Sequence, residues 1–297
     1  MKKFIKTWGL LLAFIVGGLL PVLHVLAWAI PYCVGSMLVI TFLGMNAQKL
    51  LPQKRHVAIL AATVLLGMSG WAVLRAAGEP ELAEAAFFSG ILGVAAGAPV
   101  IVQMLGGKSE FAATALVLSS ISSSIVISLL APFVITSGGV DVSRWDVFCA
   151  VFQQVSGMLL VPCIVAYLLR HFYPESKEWS SRLSGVSLAI WLLTMAIVSA
   201  SAVVRVADQP WSALLPYAAV SLSLCICGFT LGRLIGGRKW GFECVQCLGQ
   251  KNTTVGIYLA MVYSAPLVFL GPALYLFFHH LYNTYQLARY NMRRRKA

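Results

Sequence analysis

"GFECVQCLGQKNTTVGIYLA", residues 241–260, decides how the chain is read. It sets Gln246, Gln250, Lys251, Asn252, Thr253 and Thr254 between an apolar run ending at Ile235 and another beginning at Val255. The segment has the length of a membrane span, about 20 residues for ~30 Å of hydrocarbon, yet its centre is polar and carries a lysine.

The rest of the chain makes that lysine unusual. Of 297 residues, 59% are hydrophobic and 11% charged, and the mean hydropathy is +0.84. Apolar windows recur from Trp8 to the C-terminus and leave no room for a sizeable soluble domain, which predicts an all-α polytopic membrane protein. Ten windows are expected, at 8–26, 29–48, 57–76, 84–104, 111–136, 147–169, 183–204, 212–235, 242–263 and 266–288. The split of 8–48 rests on Pro21, His24, Pro31 and length; nine spans is the alternative count. The N-terminal run resembles a signal peptide, but no small-x-small cleavage site follows it, so it is read as a retained first span.

Charge referees the count, because cytoplasmic loops collect Lys and Arg. With both termini inside a cell membrane, eighteen basic residues fall on the inner side and only Arg75, Arg144 and Arg205 on the outer side. The formal charge of +12 is therefore topology and calls for no nucleic-acid partner, and the terminal "RYNMRRRKA" is read as an inside anchor. Lys251 alone is left within a span. A lysine at mid-bilayer costs about 2.5 to 3.5 kcal/mol on insertion scales, so it is expected to face a protein interior or a wet cavity.

The neighbours of Lys251 point to unwound backbone. Gly249 and Gly256 flank the polar residues, and irregular backbone at membrane depth is tolerated only where it is buried in protein or lines a cavity. Such discontinuous helices build midplane sites in secondary transporters, often in inverted repeats. A matching break is expected in "GVAAGAPVIVQMLGG", residues 93–107, where Gly97, Ala98 and Pro99 fall inside the fourth window. Splitting the chain near Gly138 gives two repeats, 1–137 and 138–297, of five spans each; the odd number inverts the second, and the fourth and ninth spans would cross. In the fifth window, "SSISSS" puts Ser120 and Ser124 on one helix face.

These stretches resemble the bile acid:sodium symporter family, over most of the chain. "IPYCVGSMLVITFLGMNAQKL" is similar to that family's second span with its "FGMGL" ending. "MLGGKSEFAATALVLSSISSSIVISLLAPF" resembles its "YLARGN" turn and "LLSP" helix, and "SAPLVFLGPALYLFFHHLYNTYQLARY" its last span, with Phe278, His279 and His280 at the "WHN" element. The resemblance implies a core and a panel domain, crossed fourth and ninth helices, and uptake of organic anions driven by two sodium ions. It aligns His279 with the family's histidine, and His279 with Asn283 would buttress the crossover. The family's ninth span reads Glu-x-x-x-Gln-Asn where this chain has Gln246, Gln250 and Lys251, and its Ser-Asn pair after "CPGG" falls near Ala98 and Pro99. Loss of the carboxylate and gain of an ammonium argue against two bound sodium ions. Lys251 could instead stand in for a cation, titrate and couple transport to protons, or pair with a substrate carboxylate or sulfonate.

The remaining motifs add little. All seven cysteines fall in apolar windows, and the C-x-x-C of Cys244 and Cys247 has no second ligand pair, so neither a metal nor another cofactor is expected. Glu243 reads as a carboxylate at the membrane edge. A membrane enzyme would need a carboxylate pair or an activated nucleophile within the bilayer, and none is evident. The expectation is thus a transporter of a small, amphipathic organic anion working by alternating access, as one helix bundle rocks against another. Gln246, Gln250, Lys251, Asn252 and Thr253, Gly97, Ala98 and Pro99, and Ser120 and Ser124 would line the site. An exporter resembling auxin efflux carriers, or a sensor on the same fold, are the alternatives.

Overall fold

A computed structural model describes residues 2–45, 49–136 and 143–296. Among these the chain is helical, and its single bridge of strand type joins Val94 to Lys251. Thirteen α-helices follow in order: α1 (Lys2–Leu19), α2 (Ile30–Leu43), α3 (Lys54–Ala76), α4 (Pro80–Gly90), α5 (Ala98–Met104), α6 (Ser109–Val134), α7 (Arg144–Phe172), α8 (Trp179–Arg182), α9 (Ser184–Val206), α10 (Trp211–Gly236), α11 (Gly241–Gly249), α12 (Thr253–Tyr263) and α13 (Leu270–Lys296). Six helical stretches among the described residues are long and apolar enough to cross a membrane: Pro21–Leu43, α3, α6, α7, α9 and α10. The chain is a multi-pass membrane protein.

The start of the chain corrects the expected windows 8–26 and 29–48. A 3-10 helix over Pro21–Ala29 runs directly into α2, so the chain breaks at Leu20 rather than between 26 and 29. Proline explains the position: Pro21 lacks an N–H and suits the first turn of a helix, while the residue before a proline is pushed out of the α region. Leu20 accordingly has φ −118° and ψ 68°. The far end of the second window, at 46–48, and the repeat boundary at 137/138 lie outside the described residues.

Contacts divide the chain into two units. The first comprises Met1–Met45 and Gln153–Leu214. Within it α1 lies along α9 at a glycine: a Cβ on Gly17 would collide with the Ala196 carbonyl oxygen. The Ser199 hydroxyl donates to the Phe14 carbonyl across the same contact at 2.8 Å. Small residues of this kind let membrane helices approach closely, where apolar surface alone gives no drive to associate.

The second unit comprises Asn46–Phe152 and Leu215–Ala297 and contains both broken windows. The fourth is two short helices, α4 and α5, and the ninth is α11 and α12. α4 is central: Gly67 of α3 lies against Ile91, where a Cβ would come within 2.8 Å, and Gly271 of α13 packs on Ala85. The turn between α5 and α6 needs Gly106, whose φ of +77° L side chains rarely adopt. Two acids fasten the ends of α6. Glu84, fully buried on α4, accepts the Thr136 N–H at 2.6 Å, and Glu243 accepts the Lys108 N–H at 2.8 Å. Glu243 is only 4% exposed, with its carboxylate turned to backbone at the start of α6.

Candidate functional site

The two breaks meet. The Ala95 N–H donates to the Gln250 carbonyl at 2.9 Å and the Asn252 N–H donates to the Gly93 carbonyl at 2.9 Å, forming one antiparallel rung around Val94 and Lys251. Peptide groups freed by ending α4 and α11 early therefore satisfy each other, which answers the cost of unpaired backbone at membrane depth. α6 completes the arrangement, because the Val94 N–H donates to Ser119 Oγ at 3.0 Å while the Ser119 hydroxyl donates to the Leu116 carbonyl.

Lys251 projects from this rung into the protein and is 1% exposed. Its Nζ donates to Thr63 Oγ1 of α3 at 3.1 Å. The ion pairs found among the described residues, Lys49 with Glu110 and Arg182 with Glu178, are elsewhere. A lysine buried with a neutral hydroxyl as its partner among the described residues is unusual, since a buried charge is costly and normally paired.

Other polar residues gather on α11 and α13. Gln246, fully buried, donates through Nε2 to Gln286 Oε1. On α13, Tyr275, His279, Asn283 and Gln286 recur every three or four residues, and Tyr275 Oη donates to the Gly249 carbonyl at 3.0 Å. Five buried atoms on these helices and at the break have no hydrogen-bond partner among the described residues: Gln246 Oε1, Gln250 Oε1, His279 Nδ1, and Oδ1 and Nδ2 of Asn283. Such groups are rare in folded proteins and ask for water, an ion or a ligand.

The expected site residues fare differently. Gln250, Lys251 and Asn252 form the break itself, and Thr253 opens α12 with its side chain buried. Gly97 is the N-cap of α5, with Ala98 and Pro99 in its first turn; the extended residues that pair with Gln250 and Asn252 are Gly93 to Ala95. Pro99 sits where a missing N–H costs nothing, so it starts α5 rather than interrupting a helix. Ser120 and Ser124 are buried, but the Ser124 hydroxyl donates to the Ser120 carbonyl of its own helix, 2.9 Å away. The hydroxyls that face the break belong to Ser119 and Ser123, each 2.9 Å from where a Gly93 Cβ would be. Both stand in "SSISSS" at the same four-residue spacing. Thr63 is a lone threonine with no pattern to mark it. The link from α13 to the ninth-window break is made by Tyr275, one turn before His279.

Comparison of the chain with protein-family models and with curated proteins returns no match.

Proposed function

We propose that the protein is a secondary transporter of a small organic anion, built like the bile acid:sodium symporters, with Lys251 as a fixed internal cation at its binding site. In this reading α4 with α5 and α11 with α12 are the fourth and ninth of ten spans, in two inverted repeats with both termini cytoplasmic. The observation that carries it is the position of Lys251: fully buried, on the rung where two broken helices pair, with Thr63 Oγ1 as its partner. A carboxylate or sulfonate would supply the countercharge that is missing beside Lys251 among the described residues. The ammonium occupies the place a cation would take, so transport proceeds by exchange or with protons rather than with two sodium ions.

Thermal stability of the purified protein is the test, because a ligand that binds only the folded state raises the melting temperature with its concentration. Naphthalene-2-sulfonate is expected to raise Tm for wild type and not for Lys251→Gln, and replacing potassium by sodium is expected to change nothing. A sulfonate response that survives in Lys251→Gln removes the role given to the lysine. A sodium response in wild type returns the protein to sodium coupling. The double variant Gln246→Glu with Lys251→Asn restores the ninth-span residues of the sodium-coupled pattern and is expected to acquire such a response. Flux of the same sulfonate into proteoliposomes separates a transporter from a sensor.

A further inference from the structure

Between α10 and α13 the second unit carries an open groove of about 490 Å³, whose lining residue Phe229 packs on Gly249 beside the ninth-window break. Its lining is graded along the helices. Leu222, Ile226, Phe278 and Leu281 form one part, and Arg233 with Tyr285 the other. The apolar part faces outward: Ile226 is 57% and Leu281 60% exposed. At the cationic end a second arginine joins, because Arg289 Nη1 donates to Tyr285 Oη at 3.2 Å. Arg233 is held against the start of α11, so closely that a Cβ on Gly241 would meet its Nη1.

We infer that this groove holds one anionic glycerophospholipid, its acyl chain along Leu222, Ile226, Phe278 and Leu281 and its phosphate between Arg233 and Arg289. The occupant follows from the charge and the setting. A hydrocarbon-facing groove on a membrane protein is filled by lipid chains, and basic pockets at the ends of membrane helices attract anionic headgroups. A neutral lipid would leave two arginines at the groove's end uncompensated. A free phosphate would leave the apolar part without a role. The inference rests on the multi-pass membrane reading alone and stands apart from the proposed transport.

Native mass spectrometry tests it directly. The protein is released from micelles containing equal amounts of dioleoylphosphatidylglycerol and dioleoylphosphatidylcholine, and the retained lipid is counted. Wild type is expected to keep one phosphatidylglycerol in preference to phosphatidylcholine by about tenfold or more, as two basic residues near a headgroup imply. Arg233→Gln with Arg289→Gln should bring the two lipids level. Ile226→Trp, which fills the groove and leaves both arginines in place, should lower the retained phosphatidylglycerol several-fold; it also serves if the charge variant does not fold. Equal retention of the two lipids by wild type, or phosphatidylglycerol binding unchanged in Ile226→Trp, overturns the inference. So does displacement of phosphatidylglycerol by millimolar inorganic phosphate, which would make the arginines a site for a free anion.

Discussion

Lys251 Nζ donates to the hydroxyl of Thr63 at 3.1 Å, joining the paired breaks to α3 through a contact between two buried side chains. Removing either partner has opposite consequences. Thr63→Val leaves the ammonium without an acceptor and is expected to lower stability by about 1–3 kcal/mol. Lys251→Met removes the charge at similar volume and is expected to leave stability unchanged or raise it, as replacing buried ions by apolar residues often does. Melting temperatures of the two variants in one detergent check this; a neutral Thr63→Val would show that the hydroxyl does not hold the lysine.

Gly93 is the residue on which the fourth-window break and α6 close together. Gly93→Ala puts a methyl 2.9 Å from Ser119 Oγ and Ser123 Oγ, and the expected cost is about 1–3 kcal/mol. Ser119→Ala costs a similar amount by a different route, since it strips the Val94 N–H of its acceptor. Because the two sites touch, the double variant should be less destabilised than the sum of the singles. Additive losses in thermal unfolding would show that the hydroxyls do not hold Gly93 in place.

In the first unit, adjacent glycines form an internal control. A Cβ on Gly17 would collide with backbone at Ala196, whereas one on Gly18 finds nothing nearer than 3.9 Å. Gly17→Ala is expected to destabilise by at least about 1–3 kcal/mol, the usual cost of overpacking, and Gly18→Ala to be close to neutral or helpful to the helix. Equal melting temperatures for the two would show that α1 and α9 do not depend on that contact.

Tyr275→Phe deletes the hydrogen bond to the Gly249 carbonyl while keeping the ring. Interhelical hydrogen bonds in membranes average about 0.6 kcal/mol, so the change in global stability is expected to be small. Its local effect should be larger. Hydrogen exchange at the amides of residues 250–252 is expected to quicken in Tyr275→Phe and to remain slow in His279→Ala, whose ring is not the one that reaches the break.

Particular residues show how far the sequence can be read. The polar cluster at Gln246 to Thr254 locates the ninth-window break, because glutamine, asparagine and lysine at mid-span are too costly to face lipid and must turn toward protein or water. Proline draws the fourth-window break toward Pro99, yet the pairing falls at Gly93 to Ala95. Pro99 suits a helix start, and the strand-like residues before it are small and apolar, without a pattern of their own. In "SSISSS" the i, i+4 spacing is satisfied by Ser119 with Ser123 as well as by Ser120 with Ser124, and spacing alone does not say which pair lies against Gly93. Thr63 is invisible in the sequence, since a single threonine in an apolar helix gains meaning only from the residue opposite. Window length sets the first break between 26 and 29, whereas the local restriction that Pro21 places on the preceding residue puts it at Leu20.

The rung between residues 93–95 and 250–252 also bears on how the chain is made. Its two strands are far apart in sequence, so during synthesis the first enters the membrane long before the second exists. Until then the peptide groups at Gly93 and Ala95 lack the partners they have in the finished protein. A long-range pairing of this kind closes late, after the intervening helices are inserted. Truncation before residue 250 should therefore leave the earlier break exposed to quality-control proteases, and supplying residues 215–297 as a separate chain should protect it.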